Sequence, residues 1–388
     1  MTFVQHILNN LRGDRSIWIV FGLLCLASML AVYSSAGIME YRFEGPGAGY
    51  HLIKHFVVLL AAGFIVYVVH QVPVSFFSAI APSFLALTIV LLFLTMFVGE
   101  EINDARRWLS IPVIGLTFQT SDLAKVAIIL LLARSISTKQ AIIKDFRTAF
   151  LPLLAPIILI CVLIAPSDLS SAVILFATCL VMLFVGRIKL KYIGLIFLCG
   201  LICLALLILI GQAYPEYTRF DTWVSRINDF ISGEASRDNI QAKIAIAQGG
   251  WFGQGPGNSV QRNFIAYPYA DFIYAIICEE YGVIGAVGIL FLYILLLFRC
   301  TRLLTRSRKA FGALLAFGLC MSIVLQALAN IAVSVHLVPA TGLTLPMVSM
   351  GGTSLFFTAV HFGIILSVSR QVEKDGIHLN NDKDEGDD

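Results

Sequence analysis

Charged residues are scarce in this chain of 388 amino acids. Asp, Glu, Lys and Arg together make up 13% of the sequence, whereas roughly a quarter is usual in soluble proteins. Hydrophobic residues account for 58%, and the mean hydropathy is +0.87. This composition excludes a soluble globular protein. The net charge of +3 is spread over short loops, so we expect no nucleic acid as a partner.

The sequence also lacks the cysteine and histidine patterns of disulfide-bonded or metal-stabilised proteins. Its eight cysteines lie within or at the ends of apolar runs, where a thiol is usually a small packing residue. His51 and His55 have the i, i+4 spacing of metal ligands, but no third ligand accompanies them in the sequence. We therefore predict neither a disulfide framework nor a metal site formed by protein ligands.

Long apolar runs are abundant instead. A membrane-spanning helix needs about 17 to 25 mainly apolar residues. Ten segments match or approach that length: 17–36, 54–70, 76–98, 121–135, 150–165, 168–185, 191–213, 271–298, 310–337 and 353–370. The predicted fold is an all-α, polytopic integral membrane protein with about ten transmembrane helices. We find no internal repeat, which counts against a transporter.

The positions of Lys and Arg set the expected orientation. They cluster before the first segment and after segments four, six and eight, and such connections are cytoplasmic. Both termini are then cytoplasmic, and the large loop 214–270, between helices 7 and 8, is extracytoplasmic. The predicted regions are a cytoplasmic N-terminus (1–16), a transmembrane domain (17–370) whose first segment is an uncleaved anchor, and a disordered acidic tail (371–388).

The loop 214–270 is longer than a bare connection requires, and structureless loops of that length are often functional. Within it, Ile240, Ile244 and Ile246 predict a short amphipathic helix on the membrane surface. The glycines from 249 to 257 lack the Lys-Ser/Thr ending of a phosphate-binding loop, so alone they indicate little.

Asp271 lies where this polar loop enters the eighth apolar segment. Two interpretations are open from the sequence alone. Aspartate is a favoured N-cap residue, because its carboxylate accepts hydrogen bonds from the first free amides of a helix. A carboxylate at the water–lipid boundary is also placed to act as a general base on a lipid-linked substrate.

Asp122 and Lys125 are three residues apart on the predicted fourth helix, so they share one face and can pair. An unpaired lysine within a membrane helix costs about 2.5 to 3.5 kcal/mol on insertion scales. The pair is either a structural salt bridge or part of a polar cavity. We favour the cavity, because ionisable groups inside membranes usually face one.

Adjacent carboxylates at Glu279 and Glu280 lie further along the eighth segment, and only one of them can share the face of Asp271. Nearby glycines are expected to allow close helix packing. They are Gly282, Gly285 and Gly288.

Other polar residues at segment ends have simpler interpretations. Asp168, at the start of the sixth segment, can equally be a helix cap, with Ser170 and Ser171 following it. Gln326 and Asn330 are expected to form interhelical hydrogen bonds from one face. Gly351 and Gly352 precede the tenth segment, where a helix N-terminus can receive an anion.

Five short motifs occur in order along the chain. They are ARRWL at 105–109, QTSDLAK at 119–125, GPGNSVQ at 255–261, DFIY at 271–274 and LPMVSMGGTS at 345–354. Together with the ten segments they resemble the SEDS family, the shape, elongation, division and sporulation proteins (FtsW, RodA and SpoVE) that polymerise bacterial cell-wall glycan. The GPGNSVQ form resembles the division branch, FtsW, more than the elongation branch, RodA.

The chain departs from the family pattern at several of these motif positions. The common histidine before Asp271 is absent, so no role resting on it is carried over. The departures are Thr120 for Pro, Asp122 for Glu, Ala266 for Pro, Tyr269-Ala270 for His-Thr, and Met350 for Tyr.

The resemblance implies a glycosyltransferase that polymerises lipid II on the outer face of the bacterial cytoplasmic membrane, for septal synthesis. The implied partners are an FtsI-like class B penicillin-binding protein and other divisome proteins, and Mg²⁺ or Mn²⁺ is a candidate cofactor whose site the sequence does not fix. Asp271 is the implied base. The candidate substrate-binding residues are Lys125, Asp122, Arg107, Arg219, Arg226, Lys243, Glu279, Ser349, Gly351 and Gly352.

Three alternatives remain open from the sequence. An elongation-type polymerase would use the same residues. A lipid II flippase would need polar groups throughout the membrane depth, whereas the candidates here cluster toward the outer surface. A non-enzymatic divisome scaffold would leave Asp271 as a helix cap only.

Overall fold

The computed structural model describes residues 12–43, 48–102, 105–111, 116–143, 145–213, 219–232 and 237–384. The helices are α1 (Arg15–Phe43), α2 (Ala48–Gln71), α3 (Val74–Val98), α4 (Thr120–Thr138), α5 (Leu151–Ile164), α6 (Leu169–Val185), α7 (Leu190–Ala213), α8 (Phe220–Ser232), α9 (Arg237–Gly249), α10 (Ile273–Arg306), α11 (Ala310–Ser334) and α12 (Ser354–Asp384). The last helix continues well past residue 371, where the sequence predicted a disordered tail.

Ten of these helices coincide with the ten apolar segments, which confirms a polytopic, mainly helical membrane protein. Seven of them are long and apolar enough to cross a bilayer within the described residues, namely α1, α2, α3, α7, α10, α11 and α12. Helices α5 and α6 are apolar but have 14 and 17 residues. Helix α4 has 19 residues and carries three charges. The count of ten spans is therefore not confirmed.

Helix α4 lies at the centre of the bundle. It packs against α3, α5, α6 and α11, and every residue from Ala124 to Leu130 is buried. Helix α7 is at the other extreme, because Ile196 and Gly211 are its only buried residues in the structure described here. An apolar helix with so little protein around it lies against lipid.

A small antiparallel sheet joins α3 to α4, and the sequence did not predict it. Its strands are β1 (Glu100–Ile102), β2 (Ala105–Ile111) and β3 (Leu116–Gln119), in the order β1-β2-β3. Trp108 of β2 pairs with Gln119 of β3, and α4 begins at the next residue. The hairpin therefore holds Arg107 beside the start of α4.

The two short helices of the large loop differ from the predicted surface helix. Helix α9 covers the expected residues, but it buries Ala242 and Ala245 against Ile265, Phe272 and neighbouring residues. Small residues on that face allow α9 to pack closely on the start of α10. The strongly amphipathic helix is instead α8, whose apolar side chains at Val224, Ile227 and Ile231 are exposed.

Helix α10 is interrupted at Gly282, where φ is 65° and ψ is −163°. The loop after α9 fills the gap by pairing with the opened backbone. Gln254 and Gly255 donate backbone hydrogen bonds to the carbonyls of Glu279 and Glu280, at 2.9 and 3.0 Å. Val283 donates in return to the Gly250 carbonyl at 3.0 Å. The GPGNSVQ segment is thereby fixed against a membrane helix.

Candidate active site

The bundle contains a polar cavity of about 590 Å³ at the end that carries the sheet and the large loop. It is lined by β2, α4, α6, α8, α9, α11 and the segments before α10 and α12. Seven of the predicted site residues meet there, although they come from distant parts of the sequence. They are Asp271, Lys125, Asp122, Arg107, Arg219, Arg226 and Gly351.

Asp271 is a cavity residue and does not cap α10. That helix starts at Ile273, its N-cap residue is Phe272, and no side chain accepts a capping bond there. Asn330 of α11 donates to the Asp271 backbone carbonyl at 2.8 Å and fixes the main chain. Ser349 fixes the same main chain at a second point, because its hydroxyl donates a hydrogen bond to the Ala270 carbonyl at 2.6 Å. The carboxylate is left to face the cavity.

Two arginines surround this carboxylate. A Cβ atom placed on Gly342 would lie 3.8 Å from both Asp271 Oδ2 and an Arg226 guanidinium nitrogen, so both side chains approach the same glycine. Burial raises the pKa of Asp271 above its ordinary value, and the charges of Arg107 and Arg226 oppose that rise. The net result is a more basic carboxylate held close to cations, which favours proton abstraction.

Arg107 is positioned by a second carboxylate, Asp168. The Arg107 guanidinium lies 3.6 Å from Asp168 Oδ2, and the Gln119 amide donates to the same oxygen at 2.8 Å. Asp168 also caps α6 by accepting from the Ser171 amide at 3.0 Å, which is one of the interpretations that the sequence left open. Arg107 Nε is buried and makes no hydrogen bond to any described residue. The Arg107 side chain as a whole is 19% exposed and lines the cavity.

Lys125 and Asp122 form a salt bridge of 2.9 Å deeper in the cavity. The ammonium also donates to the Gln326 side-chain oxygen at 3.0 Å, and Gln326 donates in turn to the Thr344 carbonyl at 3.0 Å. Both charged side chains are less than a tenth exposed. Asp122 Oδ2 is buried without a hydrogen-bond partner among the described residues. The predicted pairing is present, and Gln326 extends it to α11.

Four predicted residues lie outside the cavity lining. Glu279 is completely buried and accepts from the Ser259 hydroxyl at 2.5 Å and the Val260 amide at 2.9 Å, so it anchors the GPGNSVQ segment. Ser349 braces the backbone, Gly352 takes a positive φ in the turn before α12, and Lys243 is exposed on α9. These roles are structural or peripheral.

Sequence reasoning did not single out Asp229, Asp238 and Asn239, which are among the polar residues that line the cavity. They lie on α8 and α9, and nothing in the local sequence indicates that these helices fold back over the membrane domain. Within the described residues, no three His, Cys, Asp or Glu side chains lie close enough together to hold a metal ion. A divalent cation here would need ligands from a bound substrate.

Three of the residues that depart from the family motifs, Tyr269, Ala270 and Met350, make hydrogen bonds near Asp271 through their backbone atoms. The Met350 amide donates to the Tyr269 carbonyl at 2.9 Å, and the Ala270 carbonyl accepts from Ser349. These bonds do not depend on the side chains at Tyr269, Ala270 or Met350.

A family model described as Cell cycle protein, FtsW/RodA/SpoVE, matches residues 14–374. The chain belongs to this family. A protein of Halomonas elongata named probable peptidoglycan glycosyltransferase FtsW is 34% identical over 326 residues, covering 82% of this chain and 81% of that protein. A protein of the same name from Coxiella burnetii is 31% identical over 367 residues, covering 92% and 96%.

Solved structures show the same fold. A chain of a peptidoglycan synthase complex superposes with a TM-score of 0.70 at 24% identity, covering 93% of this chain and 98% of that chain. The rod shape-determining protein RodA of Thermus thermophilus gives a TM-score of 0.67 at 24% identity, with 92% and 97% covered. The arrangement of the membrane helices is therefore shared with these solved structures.

Proposed function

We propose that this protein is a peptidoglycan glycosyltransferase that polymerises lipid II at the outer face of the cytoplasmic membrane for septal synthesis. The observation that carries the proposal is the polar cavity, in which one half-buried carboxylate, Asp271, faces Arg107 and Arg226. Relatives that are 31 to 34% identical along most of their length are named for the same activity.

The reaction is a substitution at the anomeric carbon of the donor sugar. Asp271 removes the proton from the acceptor sugar hydroxyl, whose oxygen forms the new glycosidic bond as the bond to the lipid pyrophosphate breaks. The departing pyrophosphate carries negative charge away with it. Arg107, Arg226 and Arg219 line the same cavity and stabilise that charge electrostatically. Mg²⁺ or Mn²⁺ would add to this neutralisation when bound to the pyrophosphate.

The positions of the other charged groups fit this division of roles. Lys125 also lines the cavity, where it pairs with Asp122. A bound pyrophosphate would compete with Asp122 for the Lys125 ammonium, which is a further source of positive charge. Asp168 positions Arg107 through their ion pair.

The proposal extends to orientation and partners. With the cavity at the outer face, both termini are cytoplasmic, as the distribution of Lys and Arg indicates. Glycan strands must be cross-linked to form a wall, so we infer an FtsI-like class B penicillin-binding protein as the partner transpeptidase, together with other divisome proteins. The similarity to a chain of a peptidoglycan synthase complex supports this inference.

The test is a reconstituted polymerisation assay. Purified protein with its class B penicillin-binding protein is incubated with lipid II in detergent, and glycan strands are resolved on a gel. Asp271→Asn keeps the shape of the side chain but is a poor base, so we expect folded protein and a loss of at least about 100-fold in rate. Glycan synthesis at the wild-type rate by this variant would remove Asp271 from the mechanism.

A matched control is Asp221→Asn on α8, an exposed carboxylate of the same loop that does not line the cavity. It should polymerise lipid II like the wild-type protein. Equal losses in both variants would indicate that loop charge, and not the base, limits the assay.

A further inference from the structure

A cavity of about 600 Å³ lies at the opposite end of the bundle from the polar cavity. We call it the arginine cavity. Asp271 of the polar cavity comes just before α10, whereas Arg306, the last residue of α10, lines the arginine cavity. The start of α1, the end of α10 and the second half of α12 form its walls. Its charged lining residues are Arg15, Arg299, Arg306, Arg308, Asp14, Glu373 and Asp375.

Two of the three carboxylates in this lining are engaged in holding the walls together. Glu373 accepts a hydrogen bond from the Gly13 amide at 2.9 Å, and the Ser369 hydroxyl accepts one from the Asp14 amide at 2.7 Å. These bonds join the start of α1 to α12. The Asp14 carboxylate lies 3.5 Å from the Arg299 guanidinium, which joins α1 to α10. The cavity is therefore framed by three helices that are already bonded to one another.

The four arginines of the lining are only partly balanced by these carboxylates. Arg299 pairs with Asp14, but its Nε atom is buried and makes no hydrogen bond to any described residue. Arg15, Arg306 and Arg308 are exposed and form no ion pair with the part of the chain that the structure describes. Guanidinium groups bind phosphate oxygens through paired, charge-assisted hydrogen bonds. The cavity is therefore suited to a phosphate group.

An apolar face of α10 leads to the arginine cavity. Phe291, Ile294 and Phe298 are exposed, and their spacing of three and four residues places them on one side of the helix. Arg306, eight residues beyond Phe298, extends that side. An anion with an attached hydrocarbon chain would therefore find a charged site and an apolar surface on the same helix.

We propose that the arginine cavity binds the phosphate headgroup of an anionic phospholipid from the leaflet opposite the polar cavity. The phosphate oxygens accept hydrogen bonds from Arg15, Arg306 and Arg308, and the acyl chains lie on the exposed face of α10. Basic pockets between membrane helices bind anionic headgroups in this way. Free phosphate offers the same oxygens but has no chain to lie on α10. The bound lipid links the start of α1 to the end of α10.

The test measures lipid binding by the full-length protein in detergent, so it does not depend on polymerisation. Delipidated protein is titrated with phosphatidylglycerol or with phosphatidylethanolamine of the same acyl chains, and bound lipid is counted by native mass spectrometry. The cavity variant carries Arg306→Gln and Arg308→Gln. Its matched control carries Arg302→Gln and Lys309→Gln, which remove the same charge from neighbouring positions that do not line the cavity.

We expect the wild-type protein to prefer phosphatidylglycerol, because its headgroup carries a net negative charge and that of phosphatidylethanolamine does not. The Kd for phosphatidylglycerol should rise about 30-fold in the cavity variant and stay close to the wild-type value in the control. Equal losses in the two variants would overturn the inference, since they would assign binding to general surface charge. Equal affinity of the wild-type protein for the two lipids would also overturn it.

Inorganic phosphate distinguishes a lipid from a soluble anion. It should displace phosphatidylglycerol only weakly, because it lacks the acyl chains that lie on α10. If inorganic phosphate bound as tightly as phosphatidylglycerol, and its binding also required Arg306 and Arg308, the cavity would be a site for a soluble anion and the lipid would be excluded as its ligand.

Asp375 provides a test in the opposite direction. Its carboxylate lines the cavity and forms no ion pair within the described residues. Asp375→Asn removes a negative charge from the site, so the affinity for phosphatidylglycerol should increase about fivefold. Asp375→Glu keeps the charge and should bind like the wild-type protein. An unchanged or weaker affinity in Asp375→Asn would show that the phosphate does not lie in this cavity.

Discussion

At the scale of single residues, the environment of Asp271 sets both its reactivity and a cost in stability. Asp271 lies before the membrane-spanning part of α10, and burial raises its pKa despite the charges of Arg107 and Arg226. The folded protein therefore binds a proton more tightly at this site than the unfolded chain does. Stability must fall as the pH rises from about the ordinary value of 3.8 through the raised pKa.

We predict that Asp271→Asn is at least as stable as the wild-type protein at neutral pH, because the amide is never ionised. The difference in melting temperature should shrink as the pH is lowered through the raised pKa, because the wild-type carboxyl then becomes protonated. Thermal unfolding of both proteins in the same detergent across this range provides the measurement. If the wild-type protein were more stable than the variant at neutral pH, the attraction of Arg107 and Arg226 for the ionised carboxylate would exceed the cost of burying it.

The Lys125–Asp122 pair was predicted from sequence, but its third member was not. The i, i+3 spacing is visible in the sequence, whereas the bond from Lys125 to Gln326 spans 201 positions. Arg226 likewise reaches Asp271 only because α8 folds over the cavity. Local spacing identifies partners within one helix, and partners on other elements depend on tertiary packing.

Removing the lysine alone should be costly. Lys125→Met leaves Asp122 charged in a buried position, and breaking a buried pair in this way costs about 3 to 5 kcal/mol. Combining it with Asp122→Asn removes both charges, so we expect most of the lost melting temperature to return. Lipid II turnover should remain low in the double variant if the ammonium also serves the pyrophosphate. Recovery of both stability and turnover would make the pair purely structural.

At the scale of elements, the three glycines of α10 are not equivalent. The sequence suggested close packing for all three, but Gly282 has a backbone conformation that is essentially restricted to glycine. A Cβ atom there would lie 2.5 Å from the Trp251 and Gly253 backbones. Gly288 is helical and has no atom within 4 Å of such a Cβ. The break in α10 therefore depends on one position.

These differences predict opposite effects of alanine. Gly282→Ala forces an unfavourable backbone conformation, worth about 1 to 3 kcal/mol, and displaces the paired loop, so folded yield and melting temperature should fall sharply. Gly288→Ala should be neutral or raise stability by about 0.5 to 1 kcal/mol, as expected for alanine within a helix. Melting curves of the two purified variants provide the comparison. Similar melting temperatures for the two variants would mean that the break in α10 at Gly282 can accommodate a side chain.

Elements of the outer surface were harder to predict than the membrane helices. Apolar length alone identifies a membrane helix, since the bilayer requires it. The strands β1 and β3 have three and four residues, which is too short for a recognisable alternation of polar and apolar positions. Helix α9 packs through alanines, and small residues carry a weak apolar signal. Its buried face is defined by its contact with α10.

At the scale of the whole molecule, the buried Asp, Glu and Lys residues lie toward one end of the bundle. The buried Asp, Glu and Lys residues in the described structure are Asp122, Lys125, Asp168, Glu279 and Glu280. Each is bonded to the cavity or to the large loop. Below Lys125, the buried part of α4 is apolar through to Ile136, and the first half of α11 is likewise apolar. A path for a polar headgroup through the bundle would cross this apolar half.

We therefore predict that the protein polymerises lipid II without moving it across the membrane. Lipid II supplied in detergent, where no translocation is needed, should be converted to glycan strands in the presence of the class B penicillin-binding protein. Liposomes containing the protein and fluorescent lipid II in the inner leaflet should show no faster exposure of the label at the outer surface than empty liposomes. Rapid exposure of the label together with an absence of glycan strands would establish a flippase. The apolar inner half of the bundle would then have to open during transport.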